Sequence, residues 1–403
     1  MSLLKKISTI ASSSMLSQVI GAVSIWLIST SYGMAEVGYY AMTYSIALIG
    51  AQVCTFASQL LIPKQAEETL GQNIIFCLLF SLLLSVFTAL ATGFFFERSY
   101  EQLFLLILGH SWILISENLL LRDAKMKVLA LQRTTISGLV LALIYTMQDM
   151  ETFYWAWGGT LLAYVSMFIL YSVPVKALRW NQLSLSSNIR FFKNNIHHIS
   201  KVGSAEILAM LNGNLPVILI NIWFSPVVAG YFAVVSRFCL SPVIIVGNAV
   251  RNSIFSSWSI DFRNNRFNYS EFVKVRKLLM SLGIIATAGV FLFYPMVMNL
   301  GFNEEWVASI PTSRYLLPYL FTALAICPLT VIELVYGSPK YFLRIQIEQL
   351  AVVLIAFTLM PYISPDYAYS VIVFALLSAL RYAFIFLRVN SRANEVSQRL
   401  ETV

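Results

Sequence analysis

Residues 27–41 read LISTSYGMAEVGYYA, and residues 219–233 read LINIWFSPVVAGYFA. Leu27-Ile28 and Gly38-Tyr39-Tyr40-Ala41 in the first stretch return as Leu219-Ile220 and Gly230-Tyr231-Phe232-Ala233 in the second, at one offset (230 − 38 = 192). In both, an apolar run ends, a short turn follows and a second apolar run opens. A repeat at nearly half the chain length marks a duplicated chain. The glycine is expected to permit a tight turn between helices, and the tyrosine to anchor at a membrane interface.

Composition says what is duplicated. Of 403 residues, 58% are hydrophobic and 11% charged. A soluble chain would carry roughly 25% charged residues to face water, so most of this surface must face lipid. That excludes an ordinary soluble enzyme. Cys54, Cys77, Cys239 and Cys327 each sit alone in an apolar run. They are expected to be small core hydrophobes, and no spacing suggests a metal site. No cofactor is implied. The run after Lys5-Lys6 is too long and too polar for a signal-peptide core, so it reads as an uncleaved first span.

Apolar runs fall at roughly 7–31, 38–62, 73–96, 102–121, 129–147, 153–173, 202–224, 228–258, 278–298, 315–336, 345–363 and 367–388. The fifth is interrupted at its start by Gln132 and Arg133. Lysine and arginine concentrate in alternate loops. One set holds Lys5, Lys6, Lys64, Arg122, Lys125, Lys127, Lys176, Arg179, Arg190, Lys193, Arg263, Arg266, Lys274, Arg276, Lys277, Lys340, Arg344, Arg388, Arg392 and Arg399. The other holds only Arg98 and Arg314, among Glu36, Glu97, Glu101, Asp149, Glu151, Glu304, Glu305 and Asp366. The positive-inside rule places both termini in the cytoplasm. The formal charge of +8 then lies beside anionic headgroups, and nucleic acid is not an expected partner.

The expected fold is an all-α integral membrane protein with about twelve transmembrane helices. They form two six-helix bundles related by a pseudo-two-fold axis along the membrane normal. The expected divisions are an N-terminal bundle over 1–173, a basic cytoplasmic connector over 174–201 containing His197-His198, a C-terminal bundle over 202–388, and a cytoplasmic tail over 389–403.

A longer pattern surrounds the second repeat: Leu215-Pro-Val-Ile-Leu, Ser225-Pro-Val-Val-Ala-Gly-Tyr-Phe-Ala, Arg237, Ser241-Pro-Val and Gly247-Asn248-Ala. With Gly38-Tyr-Tyr-Ala, it resembles the polysaccharide repeat-unit flippases of the multidrug/oligosaccharidyl-lipid/polysaccharide exporter superfamily. The resemblance implies a V-shaped pair of bundles in a bacterial cytoplasmic (inner) membrane. It implies transport of an undecaprenyl-diphosphate-linked oligosaccharide from the inner to the outer leaflet, coupled to an ion gradient, for O-antigen or capsule assembly. Implied partners are the lipid-linked substrate, membrane lipids, and a polysaccharide polymerase with its chain-length machinery.

An ionisable group inside a span costs about 2.5–3.5 kcal/mol on insertion scales, so it usually faces a cavity or a partner. Arg237 falls about 13 Å below the outer end of the eighth run, at 1.5 Å per residue. Arg251 lies fourteen residues on, close to four helical turns and so on the same face, and Arg381 in the inner half of the last run. Guanidinium groups match phosphate oxygens, so these three are candidates for an anionic headgroup. Structural pairing is the alternative, as between Arg251 and Glu206, or snorkelling to headgroups. His110 is a candidate proton carrier or a satisfied core histidine. Glu117, Glu206, Glu333 and Glu348 are candidates for an inner gate or simply solvated helix ends. Ser14, Ser17, Gln18, Gly21 and Ser24 share one face. With Asn212 and Asn214, Ser14 and Gln18 are candidates for a polar cavity wall, close packing being the alternative.

Two other functions stay open. A drug or organic-cation antiporter of the same superfamily would need carboxylates at membrane depth. A membrane enzyme of polysaccharide assembly would need a reactive constellation, and none stands out.

Overall fold

Helix α3 (Glu67–Phe96) is folded inside out by the standards of water. Its buried face is Cys77, Ser81, Ser85, Ala89 and Gly93 at four-residue spacing. Its outward face carries Leu79, Leu83, Phe87, Leu90 and Phe94, the last 78% exposed. Lipid is as apolar as leucine, so helices in a membrane gain nothing by hiding large side chains. They approach one another through small ones.

The computed structural model describes residues 3–96, 99–123, 125–173, 180–302, 304–337 and 339–401. Among them, eleven helices are long and apolar enough to cross a membrane. Helix α2 (Met34–Thr55), of 22 residues, brings the crossings to the twelve that the sequence predicts. Its tyrosines dilute its hydropathy, but Tyr40 and Tyr44 turn inward onto Trp157, with ring centroids 5.4 and 5.9 Å away. The chain is a multi-pass, all-helical membrane protein.

The first compact unit comprises residues 1–31 and 40–218. It holds α1 (Leu3–Tyr32), most of α2, α3, α4 (Tyr100–Arg122), α5 (Met126–Thr146), α6 (Met150–Ser172) and the greater part of α7 (Leu185–Trp223). Helix α4 packs against α3 through Ile74, Cys77, Ile115 and Leu119. A 3-10 turn, Ser58–Lys64, adds Ile62 to that cluster.

The segment expected as a cytoplasmic connector is more ordered than its composition suggests. Residues 174–179 lie outside the described residues. A 3-10 turn follows at Trp180–Leu183, and from Leu185 the chain is already in the 39-residue α7. The helix forms because this stretch is amphipathic. Phe191 and Ile199 pack with Leu61 and Phe76, while Gln72 bonds Ser187 and Asn188.

The second unit comprises residues 32–39 and 219–403. Helix α8 (Pro226–Val235) passes through a π-helical turn, Ser236–Leu240, into α9 (Ser241–Arg263), and α10 (Tyr269–Gly301) follows. Short helices α11 (Glu304–Val307) and α12 (Ile310–Tyr315) lead to α13 (Leu317–Ile326), which a 3-10 turn at Cys327–Thr330 joins to α14 (Val331–Val335). Helix α15 (Pro339–Leu354) runs through a second π turn, Ile355–Leu359, into α16 (Met360–Ile363). Helix α17 (Tyr367–Glu401) closes the chain. The predicted tail from residue 389 is therefore helical, because Val389, Ala393 and Val396 continue a buried stripe. Cys54, Cys77 and Cys239 are buried as expected, but Cys327, on the 3-10 turn, is exposed.

The repeated glycines are contacts rather than turn residues. The turn between α1 and α2 uses Gly33, at φ +90°. Gly38 and Gly230 lie inside helices in the second unit. A Cβ on Gly38 would run into the Pro226 carbonyl oxygen and stand 3.1 Å from the Gly230 nitrogen. One on Gly230 would stand 2.5 Å from the Met34 carbonyl oxygen. The Met34 amide, at the start of α2, donates to Glu305 Oε2 at 3.1 Å.

Candidate functional site: charges at membrane depth

In the first unit Glu117 and Arg133 compensate each other. Packing of α5 against α4 brings Ser116 opposite Gln132 and Glu117 opposite Arg133. Gln132 Nε2 donates to Ser116 Oγ at 2.6 Å. Arg133 donates through Nε to Glu117 Oε1 at 2.6 Å and through Nη2 to Oε2 at 2.8 Å. This is the bidentate fork that a guanidinium makes best. Arg133 Nη1 also reaches Ser14 Oγ on α1 at 3.5 Å. One turn along α1, Gln18 Oε1 is buried with no hydrogen-bond partner among the described residues. Asn214 Nδ2 bonds the Met210 carbonyl at 2.9 Å, while Asn212 is half-buried on the same helix. Glu206, also on α7, is exposed.

His110 sits on α4 two turns before Glu117, 6% exposed. Its Nδ1 lies 2.8 Å from the Leu106 carbonyl. A carbonyl only accepts, so Nδ1 carries the proton of this bond. Tyr44 and Trp157 meet the ring edge-on, centroids 5.5 and 5.9 Å away. The imidazole is thus packed in an aromatic nest.

In the second unit the three sequence-selected arginines have different surroundings. Arg381 is 9% exposed. Its Nη1 donates to the Ile345 carbonyl at 3.0 Å, and its guanidinium lies 4.5 Å from the Tyr382 ring centroid. One turn away, Gln349 Nε2 donates to Ser378 Oγ at 3.3 Å, so Arg381 belongs to a polar seam joining α15 and α17. Arg251 is half-buried on α9.

Arg237 stands inside the Ser236–Leu240 π turn. Ser225 starts the preceding helix, its Oγ accepting from the Val228 amide at 3.2 Å, with Pro226 at the first helical position as such starts prefer. The π turn bonds i to i+5 and rotates the chain less per residue than an α-helix. The fourteen-residue spacing to Arg251 therefore no longer returns to the face that a regular helix would give. Arg237 is half-buried, its Nε is buried without an acceptor, and no carboxylate pairs with it among the described residues.

Glu333 and Glu348, the two sequence-selected carboxylates of this unit, are matched. Glu333, fully buried, takes Arg388 Nε at 3.0 Å and Arg392 Nε at 3.6 Å. Arg388 also lies 3.9 Å over the Tyr341 ring, and Arg392 reaches Glu395 at 3.0 Å. Glu348 pairs with Arg344 one turn away at 2.6 Å. Sequence reasoning selected Glu117 and Glu333 but not their partners. For Arg133 a signal existed, because it and Glu117 each lie eight residues from Lys125, between the fourth and fifth runs. For Arg388 and Arg392 none did, since their carboxylate is fifty-five or more residues away.

No protein-family model and no curated protein sequence matches the chain. Solved structures do. The chain is similar to an inward-facing multidrug resistance MATE family transporter of the MOP superfamily, with a TM-score of 0.70 and 16% identity over 96% of each chain. It is similar to the lipid II flippase MurJ in an inward closed conformation, with a TM-score of 0.75 and 13% identity over 98% of this chain and 90% of that one. A third likeness is to the MATE multidrug transporter DinF-BH, with a TM-score of 0.66 and 14% identity over 98% and 97% of the two chains. At these identities the likeness is one of fold: a fold that those proteins use for transport and lipid flipping rather than for catalysis.

Proposed function

We propose that this chain is a flippase that carries an undecaprenyl-diphosphate-linked oligosaccharide repeat unit from the inner to the outer leaflet of a bacterial cytoplasmic membrane. Both termini lie in the cytoplasm and an ion gradient drives the cycle by alternating access. The product feeds surface-polysaccharide assembly, O-antigen or capsule, where a polymerase and its chain-length machinery act next.

The supporting observation is the asymmetry of compensation. Three of the four sequence-selected carboxylates, Glu117, Glu333 and Glu348, are each held by arginine. Arg237 is held by none among the described residues. An uncompensated guanidinium at membrane depth is costly unless it meets an anion, and a diphosphate supplies one. An organic-cation carrier needs the opposite, an uncompensated carboxylate. π turns within helices recur at functional sites, which agrees with the position of Arg237.

The test is a deletion strain complemented with wild type, Arg237→Ala or Arg237→Lys. The reading expects single repeat units on undecaprenyl diphosphate to accumulate, and surface polymer to fall, with Arg237→Ala at normal protein level. Arg237→Lys should restore part of both. Intact polymer in the deletion strain, with no other flippase present, overturns the reading. Increased sensitivity of that strain to cationic drugs would favour the antiporter.

A further inference from the structure

A groove between α10 and α17 plays no part in the transport argument. It has a volume of about 590 Å³ and is lined by Arg276, Lys277, Met280, Ser281 and Phe386. That size lies within the ~300–1,000 Å³ of ordinary small-molecule sites.

Its charged end is built rather than incidental. Arg276 Nη1 donates to Asn390 Oδ1 at 2.5 Å. Asn390 Nδ2 donates to the Phe386 carbonyl at 2.8 Å, which fixes the amide with its oxygen toward the guanidinium. The Phe272 ring lies 5.9 Å from the Arg276 guanidinium carbon. Arg276 is therefore oriented by neutral groups only. Neither it nor Lys277 pairs with a carboxylate among the described residues. Two adjacent cations stay uncompensated.

The other end is apolar. Lys277, Ser281, Ile284 and Ile285 share one face of α10 by their spacing, and the two isoleucines are 61% and 66% exposed. On α10 and α17, Met280 and Phe386 line the groove itself. Arg276 and Lys277 immediately precede the apolar run of α10 that opens at residue 278. Cations at that position followed by apolar walls complement an amphiphile with an anionic head.

We propose that this groove binds an anionic phospholipid from the leaflet on the side of the C-terminus. Its phosphate sits between Arg276 and Lys277, and one acyl chain lies along Met280 and Phe386. Surface cations at a membrane attract anionic lipid generally; the oriented Arg276 makes this one a specific site.

The experiment measures thermal unfolding of the full-length protein in detergent with added phosphatidylglycerol, phosphatidylcholine or glycerol 3-phosphate. Phosphatidylglycerol should raise the midpoint by several degrees more than phosphatidylcholine. Lys277→Gln, at an exposed position, should lose at least half of that difference, and Arg276→Gln most of it. Lys193→Gln, an exposed lysine in the first unit, should keep it. Equal effects of the two lipids on wild type overturn the proposal. So does a Lys277→Gln protein that keeps the whole difference, or one that shares its loss with Lys193→Gln. A shift reproduced by glycerol 3-phosphate also overturns it, by assigning the cations to free phosphate.

Discussion

Gly38 and Gly230, the matching glycines of the internal repeat, face each other across two helix starts. A Cβ on the first would stand 3.1 Å from the backbone nitrogen of the second. A Cβ on the second would stand 2.5 Å from the carbonyl oxygen of Met34, one turn before Gly38. The duplicated motif is therefore one half of a contact whose other half is its own copy. Only a residue without a side chain lets the two backbones come this close.

Gly38→Ala and Gly230→Ala should each destabilise the protein by about 1–3 kcal/mol, the usual cost of overpacking. The double variant should cost less than the sum, because the first methyl already forces the helices apart. Gly138→Ala, where nothing lies within 4 Å of the added carbon, serves as the reference. Thermal unfolding in detergent reads all four proteins. Melting of both single variants at the Gly138→Ala midpoint would contradict the contact.

Glu117 and Arg133 should behave as a unit. Breaking a fully buried pair costs about 3–5 kcal/mol. Here the side chains are 17% and 31% exposed, so roughly 1–3 kcal/mol is expected for Glu117→Gln alone. Glu117→Gln with Arg133→Gln should regain part of that loss. A double-mutant cycle on the unfolding midpoint measures the coupling, and additive effects would show that the pair carries none.

Glu333 ties α14 to the end of α17 through Arg388 and Arg392. In Glu333→Gln, hydrogen exchange over residues 389–401 should speed up about tenfold, equivalent to about 1.4 kcal/mol. Arg388→Gln should have a smaller effect, since Glu333 keeps Arg392. Unchanged exchange in Glu333→Gln would mean that Val389, Ala393 and Val396 hold this end of the helix without it.

Asp149 caps α6. It accepts from the Thr152 amide at 2.7 Å and the Thr152 hydroxyl at 2.8 Å. These bonds hold its carboxyl below the usual carboxylate range. A depressed carboxylate contributes stability above its unfolded pKa, about 3.9, and loses it as pH falls through the folded value. Exchange protection of the first turn of α6, relative to Asp149→Asn at each pH, should be flat from pH 7 to about 5 and decline only below about 4. A decline near neutral pH would assign the effect to another group.

The sequence by itself determined the membrane setting, the helical class, the approximate position of each crossing and the duplication. In lipid those properties are local: each span must satisfy its own backbone bonds and be apolar along its length. Tertiary structure decided the rest. Residues 185–199 and 389–396 read as polar linker and tail, yet they are helical because a few apolar side chains on one face find a neighbour. Glu117 and Glu333 stood out as isolated carboxylates until the fold supplied Arg133, Arg388 and Arg392. Arg237 and Arg251 matched the period of a regular helix, and a π turn altered it. A side chain's role at membrane depth depends on which counter-charge another helix brings to it, and spacing along one helix does not contain that information.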